Sequence, residues 1–172
     1  MEFTPERSVY LNDEINAKTS MEVITTISKL HVDDPKLTIT LFIASSGGSV
    51  DDSFATYDYI ISILKPKLQT VALGEVSSAA VPLFLMGELR YITNLALIRF
   101  HRFSLGDAQN ITSKKAKEII KDLDRSEAKY VNILKERSDG KITEEVANTL
   151  LDDRVAVTAT QAVELGLAHE IL

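Results

Sequence analysis

The chain has 172 residues, 45% apolar and 26% charged, a balance that suits a globular domain able to bury a core of its own. A net charge of −6 argues against a nucleic-acid binder, and without cysteine there are no disulfides or thiolate metal sites. The longest apolar run, Ala79 to Met86, is far short of the roughly 18 residues that span a bilayer, and the first residues lack the apolar stretch of a secretory signal. The expectation is a cytoplasmic protein that engages neither membrane nor nucleic acid.

Short β-type runs alternate with helical patterns, which reads as one α/β domain over residues 1–172. Ser8 to Leu11 predicts a strand. Val23, Ile24, Ile27 and Leu30 share one face of a helix over about Ser20 to Leu30, which Asp33-Asp34-Pro35 stops. Leu37 to Ala44 is β-branched and apolar, a buried strand, and Ser45-Ser46-Gly47-Gly48 makes a sharp loop after it. A helix over about Val50 to Leu64 turns Phe54, Tyr57, Ile60, Ile61 and Leu64 inward and ends at Lys65-Pro66. A strand from Leu68 to Leu73 runs into Gly74, and an apolar helix begins near Ser77 or Ser78. Strands follow at Leu89 to Ile92 and Leu95 to His101.

A long amphipathic helix spans about Ser113 to Arg137, with Thr112 or Ser113 as its cap and Gly140 just past its end. At 1.5 Å per residue it would project about 35 Å. Its narrow stripe (Ala116, Ile119, Ile120, Leu123, Tyr130, Val131, Leu134) packs either on another subunit or on its own domain. A helix over Thr143 to Leu151, a strand at Val155 to Val157, a short helix ended by Gly166 and a last strand complete the chain.

Ser78 lies where a strand gives way to an apolar helix, in Gly74-Glu75-Val76-Ser77-Ser78-Ala79-Ala80. Free backbone N–H groups there would favour an oxyanion beside a serine nucleophile. The plainer reading makes Ser77 and Ser78 helix caps. Pro82 favours a helix start close to Ser78. Of three histidines, His31 ends a helix beside an acidic turn and His169 sits in the terminal strand; His101 ends a strand, a position where α/β folds expose catalytic groups. A hydrogen-bonded structural histidine is the alternative, and no His/Asp/Glu spacing points to a metal or other cofactor. Gly47-Gly48 permits close backbone approach, so the loop could offer an N–H to an oxyanion and the backbone around Gly47 and Ser49 could pair with a peptide.

In order and spacing these features resemble the Clp protease proteolytic subunit family. Glu6-Arg7-Ser8-Val9-Tyr10-Leu11 is similar to its first core strand. Ile43-Ala44-Ser45-Ser46-Gly47-Gly48-Ser49-Val50 resembles its N-S-P-G-G-x-V loop, with Ala44 for Asn and Ser46 for Pro. Tyr57-Asp58 and Lys65-Pro66 resemble its I-Y-D…K-P helix, and Gly74 to Ala80 its G-x-A-A-S-M-G nucleophile segment, with the serine at Ser78. Ile98-Arg99-Phe100-His101 resembles its M-I-H-Q-P base segment, with Arg102-Phe103 in place of Gln-Pro, and Thr158 to Ala168 its ending S-A-x-E-A-x-x-Y-G-L-V-D.

The resemblance implies a ClpP/crotonase-like α/β spiral of repeated β-β-α units with a protruding handle helix, the handle region covering about 102–137. It implies a serine endopeptidase in which Ser78 attacks, His101 takes the proton, and the N–H groups of Gly48 and Ala79 form the oxyanion hole. Residues near Phe103 to Asn110 would line the substrate groove. It further implies a homo-oligomer of two stacked rings, usually of seven subunits each, that takes peptides or unfolded proteins, with any ATP dependence supplied by a hexameric AAA+ unfoldase. Because the chain begins almost at the first core strand, a wider or ungated pore is expected. The acid of the triad departs from the pattern: a gapless count back from Thr158-Ala159 places Leu150 at the family's aspartate, and Asp152, or alternatively Asp153, follows, with Asn148 a further orienter. That departure keeps a second reading open, a catalytically weak or inactive structural or regulatory ring subunit. A crotonase-type acyl-CoA enzyme gives Ser78 and His101 no role, and a membrane-associated Ser/Lys peptidase lacks its anchor.

Overall fold

The computed structural model describes residues 3–104 and 112–172. Seven strands and six α-helices are described: β1 (Ser8–Leu11), α1 (Ala17–Asp33), β2 (Ile39–Ser45), α2 (Val50–Asp58), β3 (Leu68–Ser77), α3 (Ala80–Leu85), β4 (Leu89–Ile92), β5 (Leu97–Arg99), α4 (Ser113–Arg137), α5 (Glu144–Asp152), β6 (Ala156–Thr158), α6 (Ala159–Glu164) and β7 (Glu170–Ile171). The sheet runs β1-β2-β3-β4-β7, all parallel, while β5 joins β3 in parallel and β6 joins β5 antiparallel. It is a mixed α/β fold with a parallel sheet and one long helix, as expected.

β3 is the strand on which the site depends. Its first half pairs with β4, from Gln69 opposite Leu89 to Ala72 opposite Ile92. Its second half pairs with β5, Glu75 opposite Leu97 and Ser77 opposite Arg99. The change of partner falls at Gly74, whose φ of 54° is in the left-handed region. There β3 also bulges against β2, for Ile43 faces Ala72 but Ser45 faces Val76. Gly74, which reads in sequence as the end of a strand, is therefore an internal bend, and the strand continues to Ser77. The α3 helix is correspondingly short and starts at Ala80, not at the serines.

The core lies between the sheet and α1, α2 and α3, filled by Ile27, Ile39, Leu41, Ile43, Ile60, Phe84 and Leu85. The helix after the glycine loop runs on past α2 as a π-helical turn, Tyr59–Leu64, and stops where Lys65 adopts φ 51° ahead of Pro66. On α4 the apolar stripe divides. Tyr130, Val131, Ile133 and Leu134 are buried in the domain, whereas Ile120 in the N-terminal half is 56% exposed. Among the described residues no helix is long and apolar enough to cross a membrane.

Candidate active site

The geometry of the turn separates the two serines. Ser77 Oγ donates to Glu75 Oε1 at 2.6 Å, and the other Glu75 oxygen pairs with Arg99 Nε at 3.2 Å. The Ser77 hydrogen bond, with help from Arg99, holds the Glu75 carboxyl below the usual carboxylate range. Ser78 comes next, in the left-handed region at φ 53°. For a residue with a side chain such backbone costs about 1–3 kcal/mol and persists only where the surroundings hold it. Here they do. The Ser78 N–H donates to Arg99 O at 3.0 Å, and the Ser78 carbonyl accepts from Val81 N–H and from Tyr130 Oη, each at 3.1 Å. Ser78 Oγ forms no hydrogen bond with a described residue. Neither serine is a helix cap: the cap position of α3 is Ala79, without a side-chain hydrogen bond.

The glycine loop presses on this turn. A Cβ placed on Gly47 would lie 2.8 Å from Ser77 O, 2.8 Å from Ser78 Cβ and 3.1 Å from Ala79 N. Ile15 flanks the loop's other edge, its N–H donating to Gly47 O and its carbonyl accepting from Ser49 N–H, both at 2.8 Å. In this parallel bridge the groups of Gly48 itself point away from Ile15. Ser49 is used locally: its N–H serves Ile15 and its Oγ caps α2 by accepting from Asp52 N–H. The substrate-binding role expected of Ser49 thus has no free N–H at that residue.

His101 follows β5 by two residues, so the β3–β5 pairing that fixes Ser78 also brings the histidine to the same end of the sheet. Its Nδ1 lies 2.7 Å from the Arg102 carbonyl oxygen. A carbonyl only accepts, so Nδ1 carries the hydrogen and, in the neutral ring, Nε2 carries the lone pair.

Asp152 is bound elsewhere. Asp152 Oδ1 accepts from Arg102 Nε at 2.7 Å, and this pairing holds its carboxyl below its ordinary range on a side chain 59% exposed. Arg102 also reaches Glu127 Oε2 at 2.8 Å and Asn148 Oδ1 at 3.1 Å, and the Asp152 hydrogen bond leads in raising the pKa of its guanidinium. Asp153 follows α5 as its C-terminal cap, with its N–H on Thr149 O. Leu150 is buried in the core. Asp152 and Asn148 therefore gather at Arg102 instead of at His101. Nothing in the local sequence marks Glu127 as part of the site, and Tyr130 reads there only as a member of the buried stripe of α4. The one available signal was Arg102-Phe103 in place of Gln-Pro, which introduces a cation and an N–H that both need acceptors.

A groove of 580 Å³ runs beside the site, between Ser49 and Val50 on one side and Ile119, Leu123 and Ser126 of α4 on the other, with Phe103 in its wall. A larger cavity, 650 Å³ between β1 and α1, touches none of the residues named above as parts of the site. The segment expected to line the groove, Phe103 to Asn110, lies outside the described residues beyond Ser104. Among the described residues no cluster of three or more His, Asp or Glu side chains could hold a metal ion.

The family model described as Clp protease matches residues 1–172. An ATP-dependent Clp protease proteolytic subunit of Dehalococcoides mccartyi is 33% identical over 97% of this chain and 82% of its own length. An ATP-dependent Clp protease proteolytic subunit 2 of Corynebacterium jeikeium is 29% identical over 96% of this chain and 78% of its own.

Proposed function

Since the chain belongs to the Clp protease family, we propose that it is a serine endopeptidase that cleaves peptides or unfolded proteins within an oligomeric barrel. Ser78 Oγ attacks the scissile carbonyl carbon while its proton passes to His101 Nε2, and the electron pair of the C=O bond moves onto oxygen. The N–H groups of Gly48 and Ala79 receive that oxyanion. Collapse of the tetrahedral intermediate expels the amine, which takes the proton from His101, and water repeats the sequence to free Ser78. The groove beside α4 holds the peptide; Gly47 shapes the loop instead of pairing with substrate, since its N–H donates to Ser45 Oγ and its carbonyl accepts from Ile15 N–H.

The observation that carries this reading is the division of labour at the end of β3. Ser77 is bonded to Glu75, while Ser78, on the strained turn, keeps an uncommitted hydroxyl at the sheet end where His101 emerges. Ile120, exposed in the N-terminal half of α4, marks the surface on which a second ring would pack, and residues 1–172 form one peptidase domain with the handle region at about 102–137. A fluorophosphonate probe tests the chemistry. Labelling of the wild type and none of Ser78→Ala is expected; no wild-type labelling, or equal labelling of the variant, refutes it.

One observation favours the second reading, a ring subunit without turnover. Arg102 holds Asp152, so the first of the expected acids does not reach His101. Assembly into rings with no peptide hydrolysis would establish that reading.

A further inference from the structure

His101 Nδ1 and Glu127 meet the two ends of one peptide group. The Arg102 carbonyl oxygen accepts from His101 Nδ1 at 2.7 Å, and the N–H of the same peptide unit, that of Phe103, donates to Glu127 Oε1 at 2.8 Å. In a trans peptide the C=O and N–H point in opposite directions, so the three groups form a line: imidazole, peptide, carboxylate. The second oxygen of Glu127 is bound by the Arg102 guanidinium at 2.8 Å. Both oxygens are therefore committed, and the side chain is only 16% exposed. With proline at position 103 there would be no N–H and no such line.

We infer that Glu127 supports His101 in the role expected of Asp152, acting on it through the Arg102–Phe103 peptide. It is a positioning residue. A carboxylate accepting from an amide N–H polarises the peptide and makes its carbonyl a better acceptor, since linked hydrogen bonds strengthen one another. That carbonyl fixes the ring orientation, keeps the hydrogen on Nδ1 and leaves Nε2 to take the Ser78 proton. When the imidazolium forms, the polarised carbonyl faces its charge. The proton on Nδ1 does not move.

The helix that carries Glu127 makes the assignment specific. Three residues on, one turn along the same face of α4, Tyr130 donates to the Ser78 carbonyl and packs edge-to-face on Phe103 at 5.4 Å. One face of α4 therefore fixes the turn of the nucleophile and the peptide that orients the base. Asp152 acts one step further away, holding Arg102, which in turn holds Glu127.

The inference rests on the Ser78–His101 reading, and the experiment separates the two. Peptidase kinetics, and ¹⁵N spectra of histidine-labelled protein for the His101 tautomer, would be recorded for the wild type, Glu127→Ala, Glu127→Gln and Asp152→Asn, with ring assembly followed by light scattering. Glu127→Ala should lower kcat about 10- to 100-fold with KM within about twofold, the loss expected when a catalytic group is misplaced. It should also weaken the Nδ1–H preference of His101. Glu127→Gln keeps an acceptor for the Phe103 N–H, so it should retain the tautomer and recover part of the rate. Asp152→Asn should lose less than Glu127→Ala. The inference is overturned if both Glu127 variants keep the wild-type kcat and tautomer, if the loss appears only in KM, or if Asp152→Asn has the greater loss. Should Glu127→Ala fail to assemble, Glu127→Gln and the tautomer measurement decide. If Ser78→Ala labels like the wild type, the catalytic reading falls, while the tautomer spectra still report on Glu127.

Discussion

Two glycines offer a test of how closely the glycine loop determines the nucleophile's geometry. Gly47 and Gly74 both have positive φ, 99° and 54°. An alanine at Gly74 would meet nothing within 4 Å, so Gly74→Ala carries only the left-handed backbone cost of about 1–2 kcal/mol. An alanine at Gly47 would meet Ser77 O and Ser78 Cβ at 2.8 Å, well inside van der Waals contact. The Ser77 oxygen is backbone in a paired strand and cannot swing aside, so the Ser78 turn must move. With the backbone strain of about 1–3 kcal/mol, Gly47→Ala should destabilise the chain by about 2–4 kcal/mol. More telling is the kinetic effect. A shift of about 1 Å in a reacting atom costs on the order of 100-fold, so fluorophosphonate labelling of Gly47→Ala should slow by about that factor, while Gly74→Ala labels within a few-fold of the wild type. The assay compares labelling rates on assembled protein at a temperature where thermal unfolding shows each variant folded. If Gly47→Ala labels as fast as Gly74→Ala, the loop does not press on the nucleophile turn and this geometry of the site is wrong.

Tyr130→Phe removes one neutral, buried hydrogen bond to the Ser78 carbonyl, which keeps its bond from Val81 N–H. A loss of about 0.5–1.5 kcal/mol is expected in thermal unfolding, with kcat lowered several-fold; an unchanged kcat, or an effect confined to KM, would refute the positioning role. His169 gives a pH dependence. Burial, and next the positive charge of Arg90, hold its pKa below 6.5, against the opposing pull of Asp139, and its Nδ1 accepts from Arg90 N–H at 2.9 Å, which requires the neutral ring. The folded pKa is thus lower than the unfolded one, so the unfolded chain takes up the proton first as the pH falls. Stability is complete above about 6.5 and declines as pH falls from there through the folded pKa. His169→Asn, which keeps an acceptor, should flatten that slope in melting temperatures taken between about pH 7.5 and 5.5; an unchanged slope counts against the assignment.

The boundaries of α4 were legible because three local signals agree: a 3.6-residue stripe, a threonine cap at Thr112 and Gly140 past the end, which adopts φ 75°. The end of β3 was not. Gly74 looks the same in sequence whether it stops a strand or bends one, and only the exchange of β4 for β5 as neighbour distinguishes the two. For the same reason the serines were given the start of a helix that begins at Ala80. The fate of Asp152 was equally hidden, because its choice between His101 and Arg102 depends on where α5 packs, about fifty residues further along the chain.

By itself the sequence determined the elements and their order, and through the glycine loop, Ser78 and His101 it determined the family resemblance. These are properties of short segments, governed by periodicity, capping and local motif spacing. Tertiary structure alone decided which serine keeps a free hydroxyl, which nitrogen of His101 carries the hydrogen, and which carboxylate stands behind it. Each of those depends on hydrogen bonds that local motifs do not specify. The groups that decide them, Glu75 on the bent strand and Glu127 and Tyr130 on one face of α4, reach the site only when the chain has folded around it.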